Sequence, residues 1–110
     1  MEQQAKLDAG YLGVDSVEDV VYRGKNAQGE TGIFNTHAVP YAIDRDEVFR
    51  SNGFFTMSDM IWEIPVDQMQ TIRREEGDVI ERGNGEKWSI LSVKLIDFER
   101  TWQFITRKER

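Results

Sequence analysis

Three carboxylates near the middle of the chain have the chemistry to bind a hard cation. They are Asp44, Asp46 and Glu47. Their spacing lacks the central glycine and the distant glutamate of a calcium-binding loop. Asp44 stands three residues before Glu47, and Asn52-Gly53 follow, which is the pattern of a short capped helix. We expect a solvated capped turn rather than a metal site, and the same residues also fit an irregular strand and turn.

A second acidic cluster consists of Glu75, Glu76 and Asp78. Paired carboxylates serve as acid and base in glycoside hydrolysis, so this cluster offers the chemistry of an enzyme. Arg73 and Arg74 precede it directly, and mixed charges of this kind are typical of a solvated surface link. We therefore expect a polar connection here, with a carboxylate-dependent enzyme as an alternative.

The sequence contains one histidine, His37, and no cysteine. A lone imidazole lacks the orienting partners that catalysis requires, and without cysteine neither a thiolate metal site nor a disulfide can form. The turn Gly83-Asn84-Gly85 is too short to surround phosphates, and no other glycine-rich phosphate-binding string occurs. We predict that the chain is not an enzyme and has no catalytic, cofactor-binding or metal-binding residues.

Three tryptophans offer rings that stack on sugars or peptides when they are exposed. They are Trp62, Trp88 and Trp102. Each falls at an alternating position of an apolar run, which favours burial in a β-structure. We therefore expect them to fill a core. The alternative function is a small β-barrel binding module that uses exposed aromatic residues for a peptide or an oligosaccharide.

The composition predicts one small folded domain. The 110 residues are 39% hydrophobic and 31% charged, and a chain of this length forms a single modest core. The formal net charge of -6 disfavours general nucleic-acid binding, which needs a positive face. The basic cluster at residues 107–110 is interpreted as a solvated tail. No signal peptide and no apolar run of ~20 residues is visible, so we expect a protein made in the cytoplasm.

Short apolar runs separated by Gly and Asn predict a mainly β protein. Residues 1–16 are expected to form a flexible N-terminal arm. Residues 17–110 are expected to form a small β-barrel or sandwich of about five to seven short antiparallel strands with one short helix. Strands are predicted at residues 17–23, 33–39, 60–64, 79–80, 88–95 and 98–106, with a polar loop at 24–32 and one or two helical turns at 66–72.

The late part of the chain predicts a hairpin over residues 77–95. Gly83-Asn84-Gly85 supplies the turn, because glycine and asparagine tolerate positive φ. We expect this hairpin to form a barrel wall and to offer an edge. Phe98, Trp102 and Phe104 share one face of the last predicted strand. The predicted core of the late strands comprises Trp88, Ile90, Val93, Trp102 and Phe104, and the candidate subunit contacts are Glu81, Arg82, Glu86 and Lys87.

From about Val20 onward, the order of these features resembles the small head-tail joining, or neck, proteins of tailed phages and prophages. The matching pieces, in order, are DVVYRG, THAVP, SDMIWEIPVDQM, GDVIERGNGEKWSILSV and TWQFITRK. In that family the Gly-Asp-x-Ile opening and the aromatic and apolar strand after it form a late hairpin. A proline that commonly precedes the Gly-Asp pair is absent here, where Arg73-Arg74-Glu75-Glu76 stands instead.

The resemblance implies a non-enzymatic structural protein of the virion that forms a ring between the portal of the capsid and the tail. Its partners would be further copies of itself and the portal, adaptor and tail proteins, with no membrane partner. DNA would pass through the channel without sequence-specific binding, and an acidic protein suits this role because strong attraction for phosphates would retain the DNA. The implied location is the host cytoplasm during assembly and the virion afterwards.

Overall fold

The computed structural model describes residues 17–110, and the arm expected at residues 1–16 lies outside the described residues. Strands make up 54% of the structure, so the predicted mainly β fold is confirmed. The elements are β1 Glu18–Asn26, β2 Thr31–Ala42, α1 Arg45–Arg50, β3 Met60–Pro65, a 3₁₀ turn Val66–Gln68, β4 Ile72–Arg73, β5 Val79–Arg82, β6 Lys87–Ile96 and β7 Thr101–Lys108.

Six of these strands close into an antiparallel barrel in the order β1-β2-β3-β7-β6-β5. The barrel closes because β1 pairs with β2 on one side and with β5 on the other. The two-residue β4 is an extra strand that pairs with the end of β1. Residues 92–96 of β6 pair with β7 alone and keep an edge on their other side. Over β5 and residues 87–89 of β6 the hairpin has neighbours on each side, so the expected edge is absent from that part. Closure is the physical reason, because it removes edges.

The barrel interior is filled by the side chains that alternate along the strands. In β3, Trp62 and Ile64 are fully buried while Glu63 between them is only partly buried. Burial of one such large apolar side chain stabilises a fold by about 1.5–3 kcal/mol, so the alternation specifies the register of each strand. The largest buried side chains are Trp62, Tyr22, Phe104, Ile64, Met69, Ile80 and Ile90.

The first hairpin is longer than the sequence predicts. The polar loop expected at residues 24–32 shrinks to the turn between β1 and β2, because Gly24 and Gly32 pair across the two strands. The strand β2 also continues through Pro40, where a stop is predicted. Pairing with β1 ends at Ala38, so the missing N–H of Pro40 faces no β1 partner.

Residues 44–51, which the sequence leaves open between helix and strand, form a helix with its caps. Asp44 is the N-cap and accepts a hydrogen bond from the backbone N–H of Asp46, and Ser51 is the C-cap. The segment around the helix packs on the outer face of the barrel, where Ile43 and Phe55 bury themselves against Ile105 of β7. None of the described helices is long and apolar enough to cross a membrane.

Two predictions for the later part of the chain differ from the structure. The helical turns expected at residues 66–72 are reduced to the 3₁₀ turn, after which Met69 and Ile72 are buried in the barrel. The last strand begins at Thr101, so the placement of Phe98 in it is wrong: Phe98 lies in the preceding turn with 97% of its surface exposed.

The predicted core of the late strands is largely confirmed. Trp88, Ile90 and Phe104 are buried, with exposed fractions of 5%, 2% and 0%. Val93 and Trp102 are only partly buried and pack against this core from its margin.

Candidate interaction surfaces

The acidic cluster at residues 75–78 has a structural role. Asp78 accepts hydrogen bonds from the hydroxyl of Tyr22 at 2.7 Å and from the backbone N–H of Glu75 at 3.0 Å. Burial, reinforced by the bond to Asp78, raises the pKa of Tyr22 above its ordinary value, so this hydroxyl remains a donor. Glu75 lies 3.6 Å from Arg73, and Glu76 is exposed. Asp78 and Glu75 therefore both have polar partners within the chain.

His37 is an exposed residue of β2 whose ring contacts Asp19 on the neighbouring strand. Its backbone N–H and the hydroxyl of Thr36 both donate to the side-chain oxygen of Gln68, at 2.7 and 2.6 Å. These bonds fasten the 3₁₀ turn to β2. Across residues 17–110, no group of three or more His, Cys, Asp and Glu side chains has the arrangement of a metal site, and this includes the cluster at Asp44.

The tryptophans do not form an exposed stacking surface. Trp62 and Trp88 are buried, and the core interpretation of these two residues is confirmed. Trp102 is partly covered by the guanidinium of Arg74, which lies 4.2 Å from the ring centre. The indole N–H of Trp88 donates to Glu86 at 3.3 Å, whereas that of Trp62 has no partner among the described residues.

The four residues predicted to contact other subunits are Glu81, Arg82, Glu86 and Lys87, and the structure gives three of them partners within the chain. Arg82 donates to Glu18 at 2.6 and 3.1 Å and to Glu86 at 3.2 Å. Glu81 accepts from Arg23 at 2.6 Å. Lys87 is exposed. Within one chain, these ion pairs connect neighbouring strands of the barrel wall. A role of the four residues in contacts between subunits stays a prediction.

Strand register defines two ends of the barrel. At one end, called the upper end here, Pro65 of β3 pairs with Thr101 of β7 next to the turn that carries Phe98. At the other, called the lower end, Trp88 pairs with Lys108, and the β5–β6 turn and the segment before β3 lie nearby. The exposed apolar residues of greatest interest are found at these two ends.

The upper end presents the hairpin tip, which we define as residues 97–99. Asp97, Phe98 and Glu99 all have positive φ, at 55°, 55° and 67°. Left-handed backbone costs roughly 1–2 kcal/mol for each residue other than glycine. The backbone N–H of Arg100 donates to the carbonyls of Ile96 and Asp97 and holds the turn. A strained turn that displays an exposed aromatic ring is typical of a functional surface.

The lower end presents an apolar patch beside a cleft. Three apolar residues of the segment between β2 and β3 are exposed to solvent. The exposed fractions are 83% for Phe49, 56% for Phe54 and 57% for Met57. The backbone carbonyl of Phe54 accepts a hydrogen bond from Arg107 at 2.8 Å, which joins the patch to the end of β7. Large exposed apolar side chains of this kind are candidates for an interaction site.

The cleft has a volume of about 650 Å³ and opens between Trp88 and the end of β7. Its lining holds three cations, Arg107, Lys108 and Arg110, against the two carboxylates of Asp59 and Glu109. Lys108 also lies 3.4 Å from Glu86, so three carboxylates balance the three cations around this cleft. The basic residues that the sequence suggests to be a solvated tail are thus partly built into β7 and into the wall of this cleft.

The buried carboxylate of Asp59 fixes one of these cations. Arg107 donates from Nε to Oδ1 at 2.9 Å and from Nη2 to Oδ2 at 2.8 Å, and the backbone N–H of Thr56 donates to the same carboxylate. Burial alone would raise the pKa of Asp59, but the hydrogen bonds from Arg107 and Thr56 outweigh it and hold the pKa below its usual range. Arg107 is therefore held against the wall of the cleft by two hydrogen bonds.

The sequence analysis misses both surfaces. It places Phe98 in a strand, although the string Asp-Phe-Glu-Arg has the polar composition of a turn with one aromatic residue at its tip. For the segment before β3 it leaves a short capped helix and an irregular strand and turn open, and predicts no exposed apolar surface there. Comparison with protein-family models and with curated proteins gives no match for this chain.

Proposed function

We propose that the chain is a structural component of a tailed-phage head-tail connector, where copies form a ring that acts as an adaptor or stopper between portal and tail. One observation carries this proposal. A closed barrel whose interior is filled by its own side chains also exposes apolar residues at both of its ends. A filled barrel has no internal ligand site, so its function depends on its outer surfaces.

The sequence resemblance supports the same proposal. DVVYRG lies in β1, THAVP in β2, and SDMIWEIPVDQM spans β3 and the 3₁₀ turn. GDVIERGNGEKWSILSV contains β5, the turn after it and most of β6, and TWQFITRK is the whole of β7. The resembling pieces thus coincide with the barrel wall, and the connections between them carry the exposed apolar residues.

The net charge of -6 is compatible with a DNA channel. Proteins that bind the DNA backbone do so through clustered Lys and Arg, and the resulting affinity would oppose release of a genome. In the proposed ring, acidic walls keep the duplex mobile while the apolar ends bind protein.

A second candidate function is a module that binds a peptide segment of another protein. The exposed Phe49, Phe54 and Met57 of the segment between β2 and β3 favour it. Burial of Trp62 and Trp88 removes the rings that an oligosaccharide site would use, so a peptide is the ligand class that this alternative retains.

The test is to incubate the purified protein with tailless capsids that carry the portal encoded by the same genome, and to examine the vertices by cryo-electron microscopy. We expect one ring at the portal vertex, and no ring on capsids assembled without portal. Circular dichroism and tryptophan fluorescence verify that the added protein is folded. Folded protein that never decorates the portal vertex would refute the connector proposal. Retention on a peptide array under the same conditions would then support the binding module.

A further inference from the structure

We propose that the pair Asn52-Gly53, which follows the C-cap of α1, is a modification site at which the folded chain deamidates itself. The side-chain amide of Asn52 is lost as ammonia and a carboxylate takes its place. The substrate is the chain's own amide and the co-reactant is water. This inference does not depend on the connector function, because it follows from the bonding around these two residues.

The reaction joins an asparagine side chain to the backbone nitrogen of the next residue. That nitrogen loses its proton to base and attacks the side-chain carbonyl carbon, so a C–N bond forms. The amide nitrogen takes up a proton and leaves as ammonia. Water then opens the cyclic succinimide at either of its two carbonyls, which gives aspartate or isoaspartate. Glycine is the most reactive next residue, because it has no side chain to shield its nitrogen or to restrict its backbone.

Two of the four asparagines in the chain precede glycine, and the structure holds these two pairs differently. The second pair, Asn84-Gly85, lies in the turn between β5 and β6. There the backbone N–H of Gly85 donates to the carbonyl of Arg82 at 2.9 Å. The side-chain oxygen of Asn84 accepts a hydrogen bond from the backbone N–H of Glu86, also at 2.9 Å. Both reacting groups of this pair are therefore engaged, and both bonds must break before the nitrogen can attack.

The reacting groups of the first pair carry no such bonds within residues 17–110. The side chain of Asn52 is exposed, and neither it nor the backbone N–H of Gly53 has a hydrogen-bond partner among those residues. A Cβ added at Gly53 would meet no atom within 4 Å, so the space around this residue is open. Water and base therefore have access to both groups.

The backbone of the first pair also favours the movement that ring closure requires. Asn52 has a φ of 55° and Gly53 a φ of 87°, so two consecutive residues lie in the left-handed region. Asparagine tolerates that region, but it is less favourable than right-handed or extended backbone for any residue with a side chain. The N–H of Asn52 is held only by a long bond of 3.4 Å to the carbonyl of Phe49. Rotation of Asn52 therefore relieves strain and breaks no strong bond.

The product changes the segment that carries the exposed Phe54. Its carboxylate follows Ser51 at the end of α1, where the helix carbonyls already carry partial negative charge. Ser51 accepts from the N–H of Phe54 at 3.2 Å through its carbonyl and from the N–H of Phe55 at 2.9 Å through its hydroxyl. Isoaspartate inserts one backbone carbon between these partners. Both bonds then lose their geometry, and the buried Phe55 loses part of what holds it against the barrel.

The two asparagine–glycine pairs of one chain give a matched comparison. The folded protein is incubated in mildly alkaline buffer made with oxygen-18 water, and its peptides are followed by mass spectrometry. We expect heavy oxygen to enter at Asn52 about 10- to 30-fold faster than at Asn84, the factor that corresponds to release of two hydrogen bonds before reaction. In urea, where the fold is lost, the two pairs should react at similar rates.

Three results of this comparison would refute the proposal. They are equal rates at the two pairs in the folded chain, faster reaction at Asn84, and no uptake at Asn52 while the unfolded chain reacts. A difference that persists unchanged in urea would also refute it, because the fold would then not be what selects the site.

The variant Asn52→Gln tests the site and its consequence, with folding verified by circular dichroism. Glutamine closes a larger ring much more slowly, so uptake at this position should vanish while uptake at Asn84 is unchanged. A methyltransferase specific for isoaspartate should label aged wild-type protein much more than aged Asn52→Gln, and equal labelling would refute the site. The amides of Phe54 and Phe55 should exchange hydrogen faster in the aged wild type than in the aged variant. Equal exchange, with isoaspartate present, would refute the effect on this segment.

Discussion

The ion pair between Arg107 and Asp59 fastens the segment before β3 to the barrel, and loss of Arg107 should destabilise the fold measurably. Removal of one partner from a fully buried ion pair costs about 3–5 kcal/mol. Here the side chain of Asp59 is 1% exposed but that of Arg107 is 45% exposed, so water replaces part of the lost interaction. We expect Arg107→Ala to lower the free energy of unfolding by about 2–3 kcal/mol at pH 7.

The pH dependence of this loss follows from the depressed pKa of Asp59. A carboxyl whose pKa is lower in the folded than in the unfolded chain contributes stability that is fully present above the unfolded pKa of about 3.9. That contribution is lost as the pH falls through the folded pKa. The difference between wild type and Arg107→Ala should therefore be constant near neutrality and shrink below about pH 4.

The assay is urea denaturation followed by tryptophan fluorescence at pH 7 and at pH 3. Arg50→Ala is the matched control, because the side chain of Arg50 is 67% exposed and pairs with Glu47 at 3.6 Å. Loss of such a surface pair should cost less than ~0.5 kcal/mol. The reasoning is refuted if Arg107→Ala costs no more than the control at pH 7. It is equally refuted if the cost of Arg107→Ala is undiminished at pH 3.

Three further predictions concern stability. Burial raises the pKa of Glu63 despite an opposing hydrogen bond, so the charged form destabilises the fold at pH 7. Glu63→Gln should therefore raise the melting temperature at pH 7, and this gain should disappear as the pH falls towards 4. An equal gain at pH 3 would contradict this. A Cβ at Gly24 would lie 2.8 Å from the ring of Tyr22 and 2.9 Å from Asp78, so Gly24→Ala should cost about 1–3 kcal/mol in urea, and a neutral result would show that the ring moves freely. Phe98→Gly should stabilise the isolated chain by about 1 kcal/mol because it relieves left-handed strain without loss of buried area, and a lower melting temperature would argue against that strain.

Local patterns in the sequence are sufficient to predict much of the barrel wall. The alternation that buries Trp62 and Ile64 predicts a strand at residues 60–64, and the structure has Met60–Pro65. The turn at Gly83-Asn84-Gly85 connects the predicted hairpin. These features depend on neighbours a few residues apart, which is why composition and period reveal them.

The remaining features depend on contacts between distant parts of the chain. Gly24 and Pro40 are typical breakers, yet both lie in strands because their partners in the barrel tolerate a missing side chain or a missing N–H. The cleft is formed by Asp59 and Arg107, which are 48 positions apart. No local sequence pattern reveals a contact over this separation, so the cleft could not be predicted from the sequence. The basic residues 107–110 were recognised, but their partners were not.

The closure of the barrel through β1 and β5 has a consequence for how the chain reaches its native state. Tyr22 of β1 must find Asp78, 56 positions later, before the wall is complete. Pairings of such long range make folding slow, in the range of milliseconds to seconds for small barrels. During synthesis, β1 and β2 emerge as a hairpin whose outer edge must wait for β5. Ribosome-bound chains therefore pass through a stage with an unpaired edge, and unpaired edges of this kind can pair with another chain.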